Sequence, residues 1–123
     1  MNKKILIFED DSATAEFSGI LAEQLGFDVA YRKNTNDVLN DVLAETPELI
    51  IMDNWISGLG GLSSIDILKS NLATAHIPII FYSANTDFES LAKSSKADAY
   101  LTKPFDITDF EDTVRKLISN CLK

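Results

Sequence analysis

The sequence predicts an α/β fold in which a parallel β-sheet is covered by helices on both faces. Short apolar runs rich in β-branched and aromatic residues alternate with longer stretches of helical periodicity, in five successive pairs. Three of the five runs are apolar throughout, which is typical of strands buried on both faces. The 123 residues, 46% of them hydrophobic, suit one globular domain, so we expect a single domain over residues 1–123 with no output domain.

The first two strand–helix pairs follow this pattern closely. Residues 5–8 form an unbroken apolar run, and the helix predicted after it begins near Ser12 and ends at Gly26, a glycine typical of helix ends. Residues 28–32 form the second strand. The next helix begins near Thr35, and Pro47 blocks its continuation. The predicted apolar faces are Phe17, Ile20, Leu21 and Leu25 in the first helix, and Val38, Leu39, Val42 and Leu43 in the second.

The remaining strands are predicted over residues 49–52, 79–82 and 99–102. The third helix runs from about residue 61 to residue 72. Its predicted apolar face consists of Leu62, Ile65, Leu68 and Leu72. Few apolar residues lie between positions 86 and 96, where we predict a short helix. The last helix has the most regular apolar spacing in the chain, with Ile107, Phe110, Val114, Leu117, Ile118 and Cys121 on one face.

Composition and charge exclude several classes of protein. The net charge of −8 repels nucleic-acid phosphates, so direct nucleic-acid binding is not expected. The one cysteine, Cys121, has no partner for an internal disulfide and is interpreted as a small core residue. The apolar stretch near the N-terminus is much shorter than a signal peptide or a membrane span. We therefore expect no membrane association and a cytoplasmic location.

Reactive side chains collect where the predicted strands end. Glu9 and Asp10 follow the first strand, Asp53 the third, Ser83 the fourth and Lys103 the fifth. Ligands of open α/β sheets bind at the carboxyl ends of the strands, so these side chains are predicted to share one crevice. Carboxylates this close repel one another by about 4 kcal/mol per pair at an effective dielectric constant of about 20, and so require a positive charge among them.

The types of side chain at this edge predict a hard divalent cation. Oxygen ligands without a histidine or cysteine cluster are typical of Mg²⁺, which keeps several waters and accepts phosphate oxygens. Lys103 adds a second positive charge suited to a phosphoryl oxygen, and Ser83 adds a hydroxyl donor. A carboxylate nucleophile, a divalent ion, a lysine and a hydroxyl together favour phosphoryl transfer.

Four segments resemble the motifs of response-regulator receiver domains: ILIFEDD, LIIMDNWISGLGG, PIIFYSA and ADAYLTKPF. Together they cover essentially the whole chain in the family's order. The resemblance implies a flavodoxin-like, doubly wound sheet of five parallel strands in the order 2-1-3-4-5, with helices on both faces. It also implies a switch in two-component signalling that accepts a phosphoryl group from a histidine kinase or a histidine phosphotransfer protein. Such a domain is not an enzyme for other substrates and promotes only its own phosphorylation and dephosphorylation.

The resemblance assigns roles to the residues of the predicted crevice. Asp53 matches the phospho-acceptor, and Lys103 the lysine that pairs with a phosphoryl oxygen. Glu9 and Asp10 match the acidic pair that holds Mg²⁺ directly or through water. Asp53 itself and the backbone carbonyl of Trp55 are implied to complete the protein ligands of the metal.

A moving part is also implied by the resemblance. Ser83 matches the hydroxyl residue that bonds the phosphoryl group and moves with it. Tyr100 matches the aromatic that changes rotamer, although a plain strand aromatic is an equally good interpretation. In the family, an unknown downstream protein binds the surface of the fourth helix, fifth strand and fifth helix. The short interval from Ser83 to Lys103 predicts a short or distorted fourth helix, Pro104 is implied to follow a cis peptide, and Asp11 is interpreted as a helix cap.

The chain departs from the family pattern in the loop after Asp53. Ser57 stands where the family often has a proline and Gly60 where it often has an acid, so we expect a looser loop. Trp55 and Asn85 occupy two positions whose side chains face the entrance of the site in the family. We hypothesise that the large Trp55 side chain slows attack of water on the acyl phosphate.

Two other functions stay open from the sequence alone. A magnesium phosphatase of the haloacid dehalogenase type also has an aspartyl nucleophile at a strand end, but it requires a second acid two residues later, where this chain has Trp55. A pseudo-receiver that binds partners without being phosphorylated would not need the acceptor, lysine and acidic pair that are present.

Overall fold

The structure is a computed structural model and describes residues 3–83, 95–103 and 105–122. Five strands and four helices lie within these ranges. They are β1 (Lys4–Phe8), α1 (Ser12–Gln24), β2 (Asp28–Arg32), α2 (Val38–Glu45), β3 (Leu49–Asp53), α3 (Gly61–Ser70), β4 (Ile79–Ser83), β5 (Ala99–Thr102) and α4 (Ile107–Leu122). Each predicted strand is confirmed to within one residue at either end. Most of the helix predicted between residues 86 and 96 lies outside the described residues, as do Asn85 and Pro104.

The strands form one parallel sheet in the order β2-β1-β3-β4-β5, as the resemblance implied. The three predicted runs that are apolar throughout correspond to β1, β3 and β4, and these strands occupy the centre of the sheet. Because all five strands point the same way, their carboxyl ends lie along one edge. Asp53, the last residue of β3, pairs in register with Tyr82 of β4, and Ser83 pairs with Thr102 of β5.

Alternate strand residues pack against helices on opposite faces of the sheet. One face is covered by α2 and α3, and its buried core includes Leu6, Phe8, Ile50, Met52, Phe81, Val38, Val42, Ile65 and Leu68. The other face is covered by α1 and α4, and its core includes Ile5, Ile7, Ile51, Ile80, Tyr82, Leu21, Phe110, Val114 and Leu117. The predicted arrangement of helices on both faces is therefore confirmed.

The apolar face predicted for α1 is wrong in part. Phe17 and Ile20 are 42% and 47% exposed. The buried face is made mainly of small residues, namely Ala15, Ser18, Gly19, Leu21 and Ala22. The backbone of α1 lies close to its neighbours at Gly19, where a Cβ atom would come within 1.8 Å of the Tyr31 hydroxyl oxygen. Large side chains therefore fit only on the outer side of the helix.

Two predicted helix bounds also change. The second helix begins at Val38 and not near Thr35, because the backbone N–H of Thr35 bonds the carbonyl of Ser57 at 2.9 Å. The third helix ends at Ser70, and Leu72, which was assigned to its apolar face, is 96% exposed beyond it. The buried Thr74 hydroxyl donates to the Leu68 carbonyl at 2.6 Å and so satisfies an acceptor near the helix end.

The last helix has the predicted apolar face over its described side chains, since Phe110, Val114 and Leu117 are buried. Ile107, its first residue, is half exposed, and the side chain of Cys121 lies outside the described part of the structure. Among the described residues, none of the helices combines the length and the apolar character that a membrane span requires.

Candidate functional site

Three carboxylates meet at the carboxyl edge of the sheet, as the strand ends predicted. Glu9 and Asp10 follow β1, and Asp53 ends the neighbouring strand β3. One oxygen of each lies within 4.8 Å of the others. Glu9 and Asp53 are buried, whereas Asp10 is exposed to solvent. The cluster is therefore open on one side and enclosed by protein on the other.

Lys103 supplies the positive charge of this cluster. Its Nζ atom lies 2.7 Å from Oε1 of Glu9 and 3.2 Å from Oδ1 of Asp53. The backbone N–H of Lys103 donates to the carbonyl of Ser83 at 3.0 Å, which joins the end of β5 to the end of β4. The cluster of three carboxylates and one ammonium keeps two negative charges, and its oxygen donors fit Mg²⁺.

The surroundings of Asp53 disfavour its charged form when no metal is bound. Burial, followed by the charge of Glu9, raises the pKa of Asp53, and Lys103 opposes both effects, with a net pKa of about 6. Burial alone would lower the pKa of Lys103. Its hydrogen bond to Glu9 and the charges of Asp53 and Glu9 outweigh that effect, so the pKa of Lys103 is raised. At neutral pH Asp53 is mostly a carboxylate, the form required of a nucleophile or a metal ligand.

The backbone after Asp53 packs closely against its neighbours. The N–H of Asn54 donates to the carbonyl of Tyr82 at 3.0 Å, which continues the sheet beyond β3. A Cβ atom at Gly61 would lie 2.6 Å from the carbonyl oxygen of Asp53, so only glycine allows α3 to begin this close to the acceptor. Trp55, whose carbonyl is the implied metal ligand, has a side chain that is 67% exposed.

The loop after Asp53 is tied to the loop after β2 by Thr35, which sequence reasoning missed. The buried Thr35 hydroxyl donates to the carbonyl of Ser57 at 3.2 Å and accepts the N–H groups of Leu59 at 2.8 Å and Gly60 at 3.2 Å. Gly58 adopts a positive φ of 100° in the same turn. These bonds count against the expectation of a loose loop.

The two proposed switch residues lie on the same face of the sheet. Ser83 is buried at the end of β4, on the strand next to Asp53. Tyr100 on β5 pairs in register with Phe81 and is half exposed. Their motion remains a prediction. Asp11 is the N-cap of α1, as interpreted, because its Oδ2 accepts the N–H of Thr14 at 2.9 Å.

Tyr82 is a further residue of the site that the sequence analysis did not identify. Its side chain is fully buried, and its hydroxyl donates to Oε1 of Glu9 at 2.9 Å. The Nζ atom of Lys103 lies 4.5 Å from the centre of its ring. Burial, followed by the charge of Glu9, raises the pKa of Tyr82, so its hydroxyl keeps its proton. The available signal was a tyrosine inside a strand buried on both faces, where a hydroxyl needs a hydrogen-bond partner.

A comparison with known protein families now identifies this arrangement. The sequence model of the response regulator receiver domain family matches residues 5–115, which is most of the chain. The chain belongs to the response regulator receiver family. Its relatives include the DNA-binding response regulator MtrA of Mycolicibacterium paratuberculosis, which is 32% identical over 117 residues, 94% of this chain and 51% of that protein.

Solved structures of receiver domains have the same fold. One is the signal receiver domain of a signal transduction histidine kinase from Syntrophus aciditrophicus, with a TM-score of 0.88, 25% identity and coverage of 96% of this chain and 91% of that chain. Another is the receiver domain of a sensor histidine kinase from Pseudomonas aeruginosa PAO1. It has a TM-score of 0.87 and 21% identity over 97% of this chain and 99% of that chain, and it carries a magnesium ion coordinated in its active-site cleft.

The receiver domain spans about half the length of the curated relatives it matches. The family places it in two-component signalling, as a regulatory domain. Receiver domains in general bind Mg²⁺ and interact with histidine kinases or phosphotransfer proteins, and the acidic cluster of Glu9, Asp10 and Asp53 is suited to hold such an ion.

Proposed function

We propose that this receiver domain is a phosphorylation-controlled switch in which Asp53 accepts a phosphoryl group from a histidine kinase or a histidine phosphotransfer protein. One observation carries the proposal. The buried carboxylate of Asp53 lies within 4.8 Å of two further carboxylates and 3.2 Å from an ammonium group. Such a cluster combines a nucleophile with an ammonium group and with carboxylates that would hold a divalent cation, and these positive charges would neutralise a phosphoryl group, the main requirement of phosphoryl transfer.

Each residue has a defined task in the proposed reaction. A carboxylate oxygen of Asp53 attacks phosphorus, the P–N bond of the donor phosphohistidine breaks, and its electron pair returns to the imidazole. Glu9, Asp10, Asp53 and the Trp55 carbonyl would hold Mg²⁺, which neutralises charge on the phosphoryl oxygens when bound. Lys103 reaches Asp53 Oδ1 and is close enough to bind a phosphoryl oxygen after transfer.

The proposed output follows from the charge added at Asp53. Ser83 ends the neighbouring strand, and its hydroxyl is proposed to bond the new phosphoryl group. Tyr100 lies on the same sheet face and is proposed to change its rotamer in response. A downstream protein would then recognise the surface that includes β5 and α4. In the family the signalling surface consists of the fourth helix, the fifth strand and the fifth helix, and β5 and α4 correspond to its strand and its last helix.

The proposal is tested by incubating the protein with acetyl phosphate and measuring intact mass, with Mg²⁺ or with EDTA. We expect one phosphoryl adduct that requires Mg²⁺ and is absent from Asp53→Asn. Asp11→Asn is the matched control, because Asp11 lies at the same edge but caps α1. Sustained release of phosphate without an adduct would favour the phosphatase. No adduct under any condition would favour the unphosphorylated interaction module.

A further inference from the structure

Tyr82 contacts both an acid and the lysine of the site, although the proposed chemistry does not require a tyrosine there. It lies one residue before the end of β4, with its ring facing the core formed by α1 and α4. The ring is 5.8 Å from that of Phe105, centre to centre. A phenylalanine would fill nearly the same space. The hydroxyl group is therefore the part of Tyr82 that packing does not explain.

The hydroxyl of Tyr82 shares one oxygen of Glu9 with Lys103. Oε1 accepts from Tyr82 at 2.9 Å and from Lys103 at 2.7 Å, while Oε2 accepts the backbone N–H of Asp11 at 3.1 Å. Three donors thus fix the plane of the Glu9 carboxylate. Two of them, Tyr82 and the Asp11 amide, are neutral and leave the negative charge of Glu9 available to a cation.

Lys103 and Tyr82 differ in what happens to them when a phosphoryl group arrives. Lys103 also contacts Asp53 at 3.2 Å, and it must turn toward the phosphoryl oxygens in the proposed reaction. Its bond to Glu9 is weakened by that movement. Tyr82 has no such second task, so its hydroxyl is the donor that keeps Oε1 in place through the reaction.

We propose that Tyr82 is a positioning residue for metal binding, whose hydroxyl holds the Glu9 carboxylate beside Asp10 and Asp53. The inference rests on the Mg²⁺ dependence in the proposed function. The Tyr82 ring also supports the Lys103 ammonium, which lies 4.5 Å from the ring centre. Because a phenylalanine keeps this contact, removal of the hydroxyl isolates the effect on Glu9.

The test is Mg²⁺ binding to Tyr82→Phe, measured by titration calorimetry and by the fluorescence of Trp55, the one tryptophan of the chain. Loss of a hydrogen bond to a charged group is expected to raise the Kd for Mg²⁺ about 5- to 20-fold. Tyr31→Phe is the matched control, because Tyr31 belongs to the edge strand β2 and its hydroxyl lies beside Gly19 of α1. Its Kd should equal that of the wild type.

Unfolding by urea in EDTA separates positioning from a structural role. A structural role would lower the stability of Tyr82→Phe and leave its Kd for Mg²⁺ unchanged, and that result overturns the inference. Should the variant fail to fold, wild-type protein labelled with 3-fluorotyrosine is titrated with Mg²⁺ and followed by ¹⁹F NMR. The Tyr82 resonance must then shift in step with metal binding, and an unmoved resonance rejects the inference. Wild-type protein that binds no Mg²⁺ would overturn the proposed function itself, whereas equal binding by wild type and Tyr82→Phe overturns only the inference.

Discussion

Asp53 and Glu9 are two buried carboxylates held side by side, which opposes folding when no cation is bound. The pKa of Asp53 rises from 3.8 in the unfolded chain to about 6 in the fold. Well below pH 3.8 the group is protonated in both states and has no effect. As the pH rises toward and beyond 6, ionisation of Asp53 stabilises the unfolded chain more than the folded protein. The free energy of unfolding therefore falls by about 3 kcal/mol.

Asp53→Asn should therefore stabilise the metal-free protein at pH 7, because the neutral amide avoids the desolvation and the repulsion from Glu9. We expect a gain of about 2–3 kcal/mol in the free energy of unfolding, measured with urea in EDTA. The gain should decline as the pH falls from 6, vanish below about pH 3, and shrink when Mg²⁺ binds the wild type. Asp112→Asn, at an exposed position on α4, serves as the control. An equal gain at about pH 3 and at pH 7 would contradict this explanation.

Trp55 offers a second prediction at the residue scale. Its side chain is two-thirds exposed and follows the acceptor by two residues. If this large ring limits the access of water, Trp55→Ala should lose its phosphoryl group faster than the wild type. Decay of the adduct is followed by intact mass after removal of acetyl phosphate, with Leu59→Ala in the same loop as control. A slower decay of Trp55→Ala would show that the ring does not protect the site.

Residues of the site differ in how far the sequence predicts them. Glu9, Asp10, Asp53 and Lys103 each follow an apolar run, and parallel strands bring such positions to one edge. Tyr82 was missed because its partner Glu9 lies 73 residues away in the sequence. A strand position alone does not reveal whether a tyrosine hydroxyl faces a carboxylate or only packs against the core.

At the scale of elements, α1 shows why apolar spacing alone misplaces a helix face. Phe17 and Ile20 have helical spacing relative to Leu21 and Leu25, but a neighbouring row of small residues, including Ala15 and Ala22, faces the sheet. A helix that lies close to a sheet needs small side chains where the two touch. A prediction from hydrophobicity instead assigns phenylalanine and isoleucine to the buried face, because they are more hydrophobic than alanine. The existence of the helix was therefore predictable, whereas its rotation about its own axis was not.

Lys69 lies near the end of α3 that is farther from Asp53, and it joins three segments there. Its Nζ atom donates to the carbonyls of Ala75 at 3.1 Å and Ile77 at 2.8 Å, and pairs with Asp98 at 2.8 Å just before β5. The lysine side chain is only 12% exposed. These contacts tie α3, the following loop and the edge strand β5 together.

Lys69→Met should lower the free energy of unfolding by about 2–3 kcal/mol, because it leaves two carbonyls and Asp98 without their charged donor. Urea unfolding measures the change. Lys96→Met is the matched control, since the Lys96–Asp66 pair is exposed on both sides and is expected to contribute less than about 0.5 kcal/mol. Similar losses in both variants would mean that the buried position of Lys69 adds nothing.

For the whole molecule, the sequence predicts the layers of the fold better than the order of its strands. Runs that are apolar throughout became the central strands β1, β3 and β4, and the two mixed runs became the edges β2 and β5. Burial on both faces explains that division. Periodicity does not reveal which of the two edge strands lies next to β1. The order 2-1-3-4-5 was available only from the resemblance to receiver domains.

Glu45, the last residue of α2, joins one helix to two strands and links the stability of the whole fold to pH. Its two oxygens pair with Lys4 of β1 at 2.8 Å and with Arg32 of β2 at 2.6 Å. The hydrogen bond from Lys4, followed by that from Arg32, lowers the pKa of Glu45 below its usual value of 4.5. The stabilisation is thus complete above pH 4.5 and is lost as the pH falls through the folded pKa.

Glu45→Gln should lower the free energy of unfolding by about 1 kcal/mol at pH 7, because both pairs are partly exposed to solvent. The difference from wild type should persist down to about pH 5 and then decline as Glu45 itself becomes protonated. Urea unfolding at a series of pH values measures this, with Glu48→Gln, at an exposed position beyond the same helix, as the control. A difference that stays constant down to pH 3 would show that the pairs of Glu45 with Lys4 and Arg32 are not its source.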